Sequence, residues 1–501
     1  MKKYIKFIPF LLTIILRIPD FFQPYWYTDT GIYSAIGQSL NRGGILYKNI
    51  IDNKPLFIYY VYAFLERLPF SLMYSTQFVS LIFALLTEYL IYKISLIKFN
   101  NKIALINTFI FTILIGSDLL HTNGANAETF FIFFAALSVY VYIKREKNYK
   151  YIYIAGLILG LGVLFKVSVL FDGFFLVLYI FLTDSFLLSI KKIFTYTLGI
   201  ITPIFIFLFA EFLYGNFYNT VYQIFLNNFT YVNTYNKFYM FSFVELDLLV
   251  FIILVILIYI LYKKKIIDTV WLFLLLWVFS DALIVIITGR PYIHYLIQLA
   301  LPITFLFGYI IYYLFSNKFI QGIILIFSFV LLTSLYMAYF FRNELSWQIS
   351  QNFQNTIPYY TNFYLYSLGY INKKNYYSTF IYNTNVIYQK SESSANINYR
   401  MASLLDSLGA RNKEIFIAAN FPWVYYMSDS YTINYYTTDF MYGPGKRQRI
   451  KLTKSLYKNK PKIILFYEDG YTYNAFSTFV RKYYTLVSSK YGAKVYKLRN
   501  S

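Results

Sequence analysis

The sequence has no cysteine, few acidic residues and little charge overall. Its 501 residues include 23 Asp and Glu side chains and two His, and charged residues make up 14% of the chain. The lack of cysteine excludes disulfide bonds and thiolate metal sites. A soluble domain carries about a quarter charged residues, so this composition, with 58% hydrophobic residues, indicates a membrane protein. A glycine loop with P-loop spacing is also lacking, which argues against a nucleotide-driven pump and against a nucleotide cofactor.

Long apolar runs are abundant up to about residue 341. They are continuous rather than alternating, and a bilayer core admits only helices or closed barrels, so we predict membrane-spanning helices. About eleven spans of roughly 20 residues are expected, at residues 4–22, 73–95, 103–120, 127–143, 150–165, 167–183, 190–212, 244–262, 267–288, 292–315 and 319–341. Segment 56–68 is too short to span, and we predict an interfacial or re-entrant helix there. The basic start of the chain lacks a small-x-small cleavage site, which favours an uncleaved first span.

The net charge of +22 invites comparison with nucleic-acid-binding proteins, but its placement argues against such a partner. Much of the Lys and Arg excess lies in alternate short connections between the predicted spans, as the positive-inside rule requires of cytoplasmic loops. The rule places the N-terminus inside and makes the chain a multi-pass protein of the cytoplasmic membrane, in contact with membrane lipid. The connections that contain Asp29 to Pro55, Asp118 to Glu128, Lys166 and Arg290 to His294 then fall on the outer side.

The last 160 residues or so change character, and the same topology places them outside. Short β-like runs at 415–419, 462–466 and 493–496 alternate with helical stretches at 399–408 and 474–484. This pattern predicts a small extracytoplasmic α/β domain at 344–501, after a transmembrane domain at 1–343. Segment 446–462 has eight basic residues and no acidic one. It could contact anionic lipid head groups or an acidic glycan acceptor, or form a solvated basic helix.

The first outer loop, 23–56, is polar where its surroundings are apolar. It contains Asp29, followed by a stretch that can form a short amphipathic helix from Gly31 to Gly44, and then Asp52-Asn-Lys54-Pro. These charges fit either a site or a capped interfacial helix, in which Asp29 is the N-cap and Asp52 pairs with Lys54.

Two further outer patches carry charge. Glu128 opens a predicted span, Lys166 lies at the turn between two spans, and Arg290 and His294 lie four residues apart. Each has a structural explanation: a carboxylate at a helix N-terminus is favoured by the dipole, and an interfacial Arg or Lys can simply mark the membrane boundary. Together, however, the carboxylates and His suit a divalent cation, and Lys and Arg suit a phosphate. A carboxylate base beside a phosphate-binding cluster is what glycosyl transfer from a sugar-phosphate lipid requires.

The order of these motifs resembles the GT-C membrane glycosyltransferases, and above all the branch related to protein O-mannosyltransferases and the lipid A aminoarabinose transferase. The resemblance covers about residues 1–340 and depends on Asp29-Thr-Gly-Ile-Tyr33, Gly44-Ile-Leu-Tyr47, Asp52-Asn-Lys-Pro55, Glu128, Lys166 and Gly289-Arg-Pro-Tyr-Ile-His-Tyr295. Two motifs differ from the family pattern: Asp29-Thr30 replaces the usual Asp-Glu, and Lys54-Pro55-Leu56 replaces Lys-Pro-Pro. The first difference weakens an assignment to protein mannosylation in particular.

The resemblance implies a GT-C-like fold and transfer of a sugar from a polyprenyl-phosphate donor to an extracytoplasmic hydroxyl, with inversion. It implies Asp29 as the general base, and Tyr33 and Asp52 as supporting residues. The implied phosphate-binding residues are Lys54, Lys166 and Arg290. Glu128 and His294 would bind a divalent metal cation or hydrogen-bond the donor. Two alternatives stay open: a polysaccharide polymerase or ligase that uses a diphosphate-linked donor, and a lipid-sugar flippase or transporter, although the chain shows no clear internal repeat of the kind typical of transporters.

Overall fold

A computed structural model describes residues 4–228, 240–287, 292–314, 344–380, 394–442, 445–467, 470 and 472–499. The chain divides into two compact units, each built from separate stretches of sequence. The helical unit comprises Met1–Ile18, Phe78–Ala210 and Phe229–Pro358, and the mixed unit comprises Pro19–Gln77, Glu211–Asn228 and Tyr359–Ser501. The predicted division into residues 1–343 and 344–501 stays a prediction.

The helical unit consists of apolar helices at the predicted positions. Its described helices are Ile8–Leu16, Asn101–Phe111, Ala127–Lys144, Tyr149–Val163, Leu170–Thr183, Met240–Lys263, Thr269–Ile287 and Leu296–Leu314. Three more helices are divided between the two units: Leu72–Lys98, Phe186–Leu213 and Glu344–Ser367. Helices therefore occupy ten of the eleven predicted spans, and the last one, 319–341, lies outside the described residues.

Four of the described helices are long and apolar enough to cross a membrane: Leu72–Lys98, Ala127–Lys144, Phe186–Leu213 and Ile293–Tyr312. Several shorter helices are equally apolar but span fewer residues. The prediction of an α-helical membrane protein is confirmed, while the number of spans stays a prediction.

Small residues let two helices of this unit approach closely. A Cβ added at Gly156 would lie 2.0 Å from the carbonyl oxygen of Tyr196, and one added at Gly160 would lie 2.4 Å from that of Ile200. From the other side, a Cβ at Gly199 would lie 2.2 Å from the Tyr153 carbonyl oxygen. Glycine is required at this crossing because the two backbones are in direct contact, as is common between helices in membranes.

Polar side chains inside the helical unit satisfy one another. The Glu88 carboxylate accepts hydrogen bonds from the hydroxyls of Thr13 (2.9 Å) and Thr112 (2.6 Å). The buried Arg17 guanidinium donates to the Ser80 hydroxyl and to the Thr122 carbonyl oxygen, each at 2.9 Å. Since an unsatisfied polar group is costly in an apolar interior, these bonds fix the first helix against its neighbours.

A second polar group lies deeper in this unit. Asp172 accepts hydrogen bonds from the Trp277 indole N–H and from the Gln298 amide, both at 2.9 Å. Asp281 is a close electrostatic neighbour of Asp172. This pairing of two carboxyl groups 109 residues apart has no signal in the sequence.

The mixed unit contains one four-stranded sheet. Its strands are β1 (Ile415–Ala418), β2 (Ile463–Tyr467), β3 (Tyr484–Lys490) and β4 (Ala493–Leu498), in the order β1-β2-β4-β3. β1 and β2 are parallel, and β4 is antiparallel to both β2 and β3. A tight turn joins β3 to β4 with positive φ at Tyr491 and Gly492, the combination that two-residue hairpins favour. Three of the strands were predicted, whereas β3 was not.

Helices cover both faces of this sheet, so it forms the centre of a three-layer α/β arrangement. The described helices of the mixed unit are Thr28–Asn41, Phe57–Glu66, Phe217–Val221, Lys373–Ser378, Ser394–Ser407, Trp423–Met427, Lys446–Asn459 and Asn474–Tyr483. Side chains alternate along β1: Ile415 and Ile417 pack in one core, and Phe416 packs in the other. The predicted small C-terminal α/β fold is confirmed.

The segment that contains the first outer loop is an integral part of the mixed unit. Ala35 contributes to the core on one face of the sheet and Ile51 to the core on the other. The Ile51 amide donates to the Tyr435 carbonyl oxygen at 2.7 Å, and the Tyr435 amide donates to the Asn49 carbonyl oxygen at 2.8 Å. The loop is therefore held by backbone hydrogen bonds to chain nearly 400 residues away.

Candidate active site

Asp29 lies at the second position of the helix Thr28–Asn41. The N-cap is Tyr27, so the alternative in which Asp29 caps this helix is wrong. Asp29 is half-buried, whereas the residues on both sides of it are buried. A carboxylate in the first turn of a helix is stabilised by the helix dipole.

The C-terminal part of the chain fixes the start of this helix. The indole N–H of Trp423 donates to the Tyr27 carbonyl oxygen at 2.8 Å. A Cβ added at Gly31 would lie 2.8 Å from the Trp423 ring, so a larger residue would displace the indole. Asp29 is thus carried by a helix whose first turn is held by a buried tryptophan, a contact that sequence reasoning missed.

Asp52 is buried and does not serve mainly as a partner of Lys54. Its carboxylate accepts hydrogen bonds from the Tyr59 hydroxyl and from the Asn53 amide, each at 2.7 Å. These bonds hold the turn that carries Lys54. The Lys54 ammonium lies 5.1 Å from the centroid of the Tyr33 ring, within cation–π range. Tyr33 thus contacts Lys54, and Asp52 is bonded within the same turn, while their supporting role stays a prediction.

Tyr33 is fully buried among other tyrosines. Its ring contacts those of Tyr59 and Tyr62 edge-on, with centroids 6.0 and 5.4 Å away. Asp29, one helical turn before Tyr33, is within electrostatic reach of the Tyr62 hydroxyl. The mixed unit thus gathers two carboxylates, Asp29 and Asp52, and the Lys54 ammonium around a cluster of phenol rings.

In the helical unit, Glu128, Lys166 and His294 lie close together, and we call them, with Tyr295, the Glu128 cluster. Glu128 is the second residue of the helix Ala127–Lys144, and its side chain is 2% exposed. Its Oε1 atom forms an ion pair with the Lys166 ammonium and lies 3.9 Å from Nε2 of His294. The Lys166 ammonium also lies 3.8 Å from the centroid of the Tyr295 ring.

Local backbone geometry explains how these side chains meet. Lys166 has an extended backbone in the short break between Tyr149–Val163 and Leu170–Thr183. His294 lies in a short 3-10 turn that precedes Leu296–Leu314. This turn comprises Ile293–Tyr295, and its N-cap is Tyr292. Arg290 and Pro291 lie outside the described residues.

The chemistry of the Glu128 cluster favours an ion-pair network over a metal site. The second carboxylate oxygen of Glu128, Oε2, is buried and has no hydrogen-bond partner among the described residues. In that part of the chain, no group of three His, Asp or Glu side chains is placed to hold a metal ion. Glu128 and His294 supply two donors, and an ammonium already lies on one of the Glu128 oxygens. Divalent cations need more ligands than this, so the residues described do not by themselves fit one.

The predicted site residues therefore fall into two groups. Asp29, Tyr33, Asp52 and Lys54 belong to the mixed unit, and Glu128, Lys166 and His294 belong to the helical unit. Sequence reasoning missed Trp423 and Tyr59, which no motif singles out. It quoted Tyr295 within a motif without giving it a role.

One comparison with known proteins agrees with the sequence resemblance. Residues 53–214 match the model of a family described as dolichyl-phosphate-mannose-protein mannosyltransferase. No curated protein matches the sequence. The oligosaccharyltransferase of Archaeoglobus fulgidus, solved in complex with Zn and sulfate, has a TM-score of 0.45 and 13% identity, covering 99% of this chain and 73% of that chain.

The same archaeal enzyme, in complex with an inhibitory peptide and a dolichol-phosphate, has a TM-score of 0.45 and 12% identity, covering 100% of this chain and 75% of that chain. The family match includes Lys54, Glu128 and Lys166, three of the residues on which the resemblance depends. Residues 53–214 are thus similar to the dolichyl-phosphate-mannose-protein mannosyltransferase family.

Proposed function

We propose that the protein transfers a sugar from a polyprenyl-phosphate donor to a hydroxyl of an extracytoplasmic acceptor, with inversion at the sugar C1. The acceptor class comprises lipid, glycan and protein hydroxyls. The observation that carries the proposal is the half-buried Asp29 carboxylate, presented by a helix whose first turn is fixed by Trp423. The description of the matched family, which names a dolichyl-phosphate-linked sugar as donor, supports a lipid-phosphate donor.

In the proposed step, Asp29 accepts the proton of the acceptor hydroxyl as the oxygen attacks C1 of the sugar. A new C1–O bond forms on the face opposite the lipid phosphate. The bond between C1 and the phosphate oxygen breaks, and polyprenyl phosphate leaves with the bonding electron pair. A positioned carboxylate base contributes about 10²- to 10⁴-fold to such a step.

Cations balance the charge that develops on the departing phosphate. We assign this role to Lys54, Lys166 and Arg290, because fixed positive charges at a leaving group are a principal source of rate enhancement. The contacts of Lys54 with the Tyr33 ring and of Lys166 with Glu128 and Tyr295 support the assignment, since each limits the motion of an ammonium group. Glu128 then acts as a positioning residue for Lys166.

The metal-binding role predicted for Glu128 and His294 is not part of this mechanism. His294 stacks on Tyr292, with centroids 5.6 Å apart and planes 13° apart, and contacts Tyr295 edge-on. These contacts suit an imidazole that donates a hydrogen bond to the donor lipid phosphate or to Glu128.

We also propose that the protein is a multi-pass protein of the cytoplasmic membrane, with its N-terminus inside and its C-terminal segment outside. The distribution of Lys and Arg between alternate connections supports this orientation. Cysteine labelling from the outside of intact cells tests it, since the natural chain has no cysteine. A single cysteine at exposed Lys458 must react, and one at exposed Lys147 must not.

The central experiment compares Asp29→Asn with Asp406→Asn in membranes supplied with a labelled polyprenyl-phosphate sugar. Asp406 is an exposed carboxylate of the mixed unit, paired with Arg411 at the surface, so its replacement controls for loss of charge. We expect Asp29→Asn to lower transfer by about 10²-fold or more while donor binding and the unfolding midpoint stay unchanged. If Asp29→Asn transfers sugar at the rate of the natural chain, Asp29 is not the general base. Transfer only from a diphosphate-linked donor would favour the polymerase or ligase alternative.

A further inference from the structure

The turn Asp52–Lys54 is held at its first and last residues by neighbouring chain. The Asp52 carboxylate accepts a hydrogen bond from the Tyr59 hydroxyl at 2.7 Å, and the Tyr47 hydroxyl donates to the Lys54 carbonyl oxygen at 2.8 Å. Each of these contacts spans seven positions in the sequence, so the first outer loop supplies them itself. The middle residue of the turn, Asn53, is bonded to a different part of the chain.

Asn53 is paired with Asn228, which lies 175 positions away. The Asn53 side-chain amide donates to Oδ1 of Asn228 at 2.9 Å, and the Asn228 amide donates to the Asn53 carbonyl oxygen at 3.1 Å. The Asn228 amide also donates to the Ile224 carbonyl oxygen in its own helix at 2.6 Å. Because an asparagine side chain has one acceptor and two N–H donors, Asn228 holds both the side chain and the backbone of Asn53. We call these reciprocal bonds the Asn53–Asn228 pair.

The segment that carries Asn228 is anchored on the first outer loop at its other end as well. It belongs with that loop to the mixed unit. The Asn216 amide donates to the Leu46 carbonyl oxygen at 2.9 Å. The Glu211 carboxylate accepts hydrogen bonds from Asn216 and from the Thr220 hydroxyl, each at 2.7 Å. Two separate contacts therefore fix the segment to the loop, one before the turn and one at it.

The backbone between these two contacts contains a π-helical turn. The helix Phe217–Val221 continues into the π turn Tyr222–Leu226. Such turns are rare and occur often at functional sites, and they change which of the following residues face a given direction. Asn227 bonds the Gln223 side chain within its own helix at 3.1 Å, whereas Asn228 bonds the turn. The helical register thus selects one of two adjacent asparagines as the partner of Asn53.

The Asn53–Asn228 pair acts directly on the residue before Lys54. With the Asn53 backbone fixed and the Lys54 carbonyl oxygen bonded by Tyr47, the Lys54 side chain starts from a defined position. Its ammonium then lies 5.1 Å from the centroid of the Tyr33 ring. A lysine side chain has much rotamer freedom to lose when it binds an anion. A turn that is already ordered lowers this cost and so strengthens binding.

We propose that Asn228 is a positioning residue for Lys54, and that the Asn53–Asn228 pair holds the turn in the conformation in which the Lys54 ammonium meets the donor phosphate. This inference rests on the proposed function for the role of Lys54 in phosphate binding, but not for the bracing of the turn. The polar connection that follows the helix Phe186–Leu213 then acts on the donor through Lys54.

The test measures binding of farnesyl phosphate, a short polyprenyl phosphate, to the full chain in phosphatidylcholine nanodiscs. Asn228→Ala removes the Asn53–Asn228 pair. Asn227→Ala is the matched control, because it removes an adjacent amide that bonds only its own helix among the described residues. We expect Asn228→Ala to bind farnesyl phosphate about 3- to 10-fold more weakly, and Asn227→Ala to bind within about twofold of the natural chain.

A double-mutant cycle shows whether Asn228 acts through Lys54. In the Lys54→Gln background, Asn228→Ala should change binding by less than about twofold. Equal weakening in both backgrounds would mean that Asn228 acts independently of Lys54 and would overturn the proposal. Equal weakening by Asn228→Ala and Asn227→Ala would overturn it too. If Asn228→Ala lowers the unfolding midpoint, Asn53→Ala breaks the pair from the other side and must weaken binding in the same Lys54-dependent way.

A spin label separates this inference from the proposed function. Because the natural chain has no cysteine, Lys54→Cys can be labelled alone. Adding Asn228→Ala must increase the mobility of the label, and adding Asn227→Ala must not. If the label behaves so but Lys54→Gln binds farnesyl phosphate as the natural chain does, the brace stands and the phosphate-binding role of Lys54 falls. If Lys54→Gln weakens binding while Asn228→Ala alters neither binding nor mobility, that role stands and the inference about Asn228 falls.

Discussion

The ion pair between Glu128 and Lys166 gives the sharpest prediction for the helical unit. The Glu128 side chain is 2% exposed and that of Lys166 is 16% exposed. Each charge is therefore stabilised mainly by its partner rather than by hydration. Removing one partner of a buried pair costs about 3 to 5 kcal/mol because the other charge is left unbalanced, whereas replacing both can be nearly neutral. The double-mutant cycle of Glu128→Gln and Lys166→Met therefore separates stability from catalysis.

We expect Lys166→Met to be the more damaging single change. It leaves a buried carboxylate with His294, 3.9 Å away, as the remaining basic partner. Because Lys166 is partly exposed and His294 can take up a proton, the free energy of unfolding should fall by about 3 kcal/mol, the lower end of the range for a broken buried pair. Glu128→Gln should cost about 1 to 2 kcal/mol, since the Lys166 ammonium keeps its contact with the Tyr295 ring and some exposure to water.

The double variant should recover most of this stability and none of the activity. Its free energy of unfolding should lie within about 1 kcal/mol of that of the natural chain, which gives a coupling energy of about 3 to 5 kcal/mol. The assay is the SDS-induced unfolding midpoint in mixed micelles, together with the initial rate of sugar transfer. If Lys166→Met and the double variant are equally unstable, the pair does not carry the stability assigned to it. Recovery of transfer by the double variant would exclude Lys166 as a phosphate-binding residue.

Three further predictions concern the mixed unit. Trp423→Phe removes the hydrogen bond to the Tyr27 carbonyl oxygen and should lower the transfer rate about three- to tenfold at unchanged donor KM; an unchanged rate would show that the indole does not position the base. Gly37→Ala places a Cβ 2.7 Å from the Ala63 backbone nitrogen and should lower the free energy of unfolding by about 1 to 3 kcal/mol, as measured by thermal unfolding. Burial raises the pKa of Glu414 from 4.5 to about 7, so the folded state holds this proton more tightly, and stability present below pH 4.5 is lost as the pH rises through 7. Glu414→Gln lacks this loss. Between pH 5 and pH 8 its free energy of unfolding should rise by about 1 to 2 kcal/mol relative to that of the natural chain, after allowance for partial exposure. Equal unfolding midpoints of the two proteins across this range would contradict the assignment.

Much of the fold was predictable because it depends on local sequence. A continuous apolar run can satisfy its backbone hydrogen bonds in an apolar medium only as a helix, so the helix Ala127–Lys144 follows from composition and length alone. Short apolar runs likewise indicate β1 and β2. β3 was missed because Tyr484–Lys490 is mostly exposed and polar, so it lacks the buried run by which strands are recognised.

The candidate site was predictable in its members but not in its contacts. Motif order singled out Asp29, Lys54, Glu128, Lys166 and His294. Which of them would meet was open, because a contact between residues 38 or 166 positions apart depends on how helices pack. The structure was also needed to choose between the alternative explanations. Asp29 is an N-cap or a first-turn residue depending on whether the helix starts one residue later or earlier, and sequence patterns do not locate helix ends to one residue.

The sequence by itself determined that this chain is a helical membrane protein with a small α/β segment at its end and with glycosyltransferase motifs in its polar connections. Tertiary structure alone decided that the segment containing Asp29 folds with the C-terminal sheet, that Trp423 fixes the start of the Asp29 helix, and that Glu128 pairs with Lys166. The physical reason is the range of the interactions. Helix formation depends on neighbouring residues, whereas burial of a tryptophan or a charge depends on surfaces that meet only after the chain has packed.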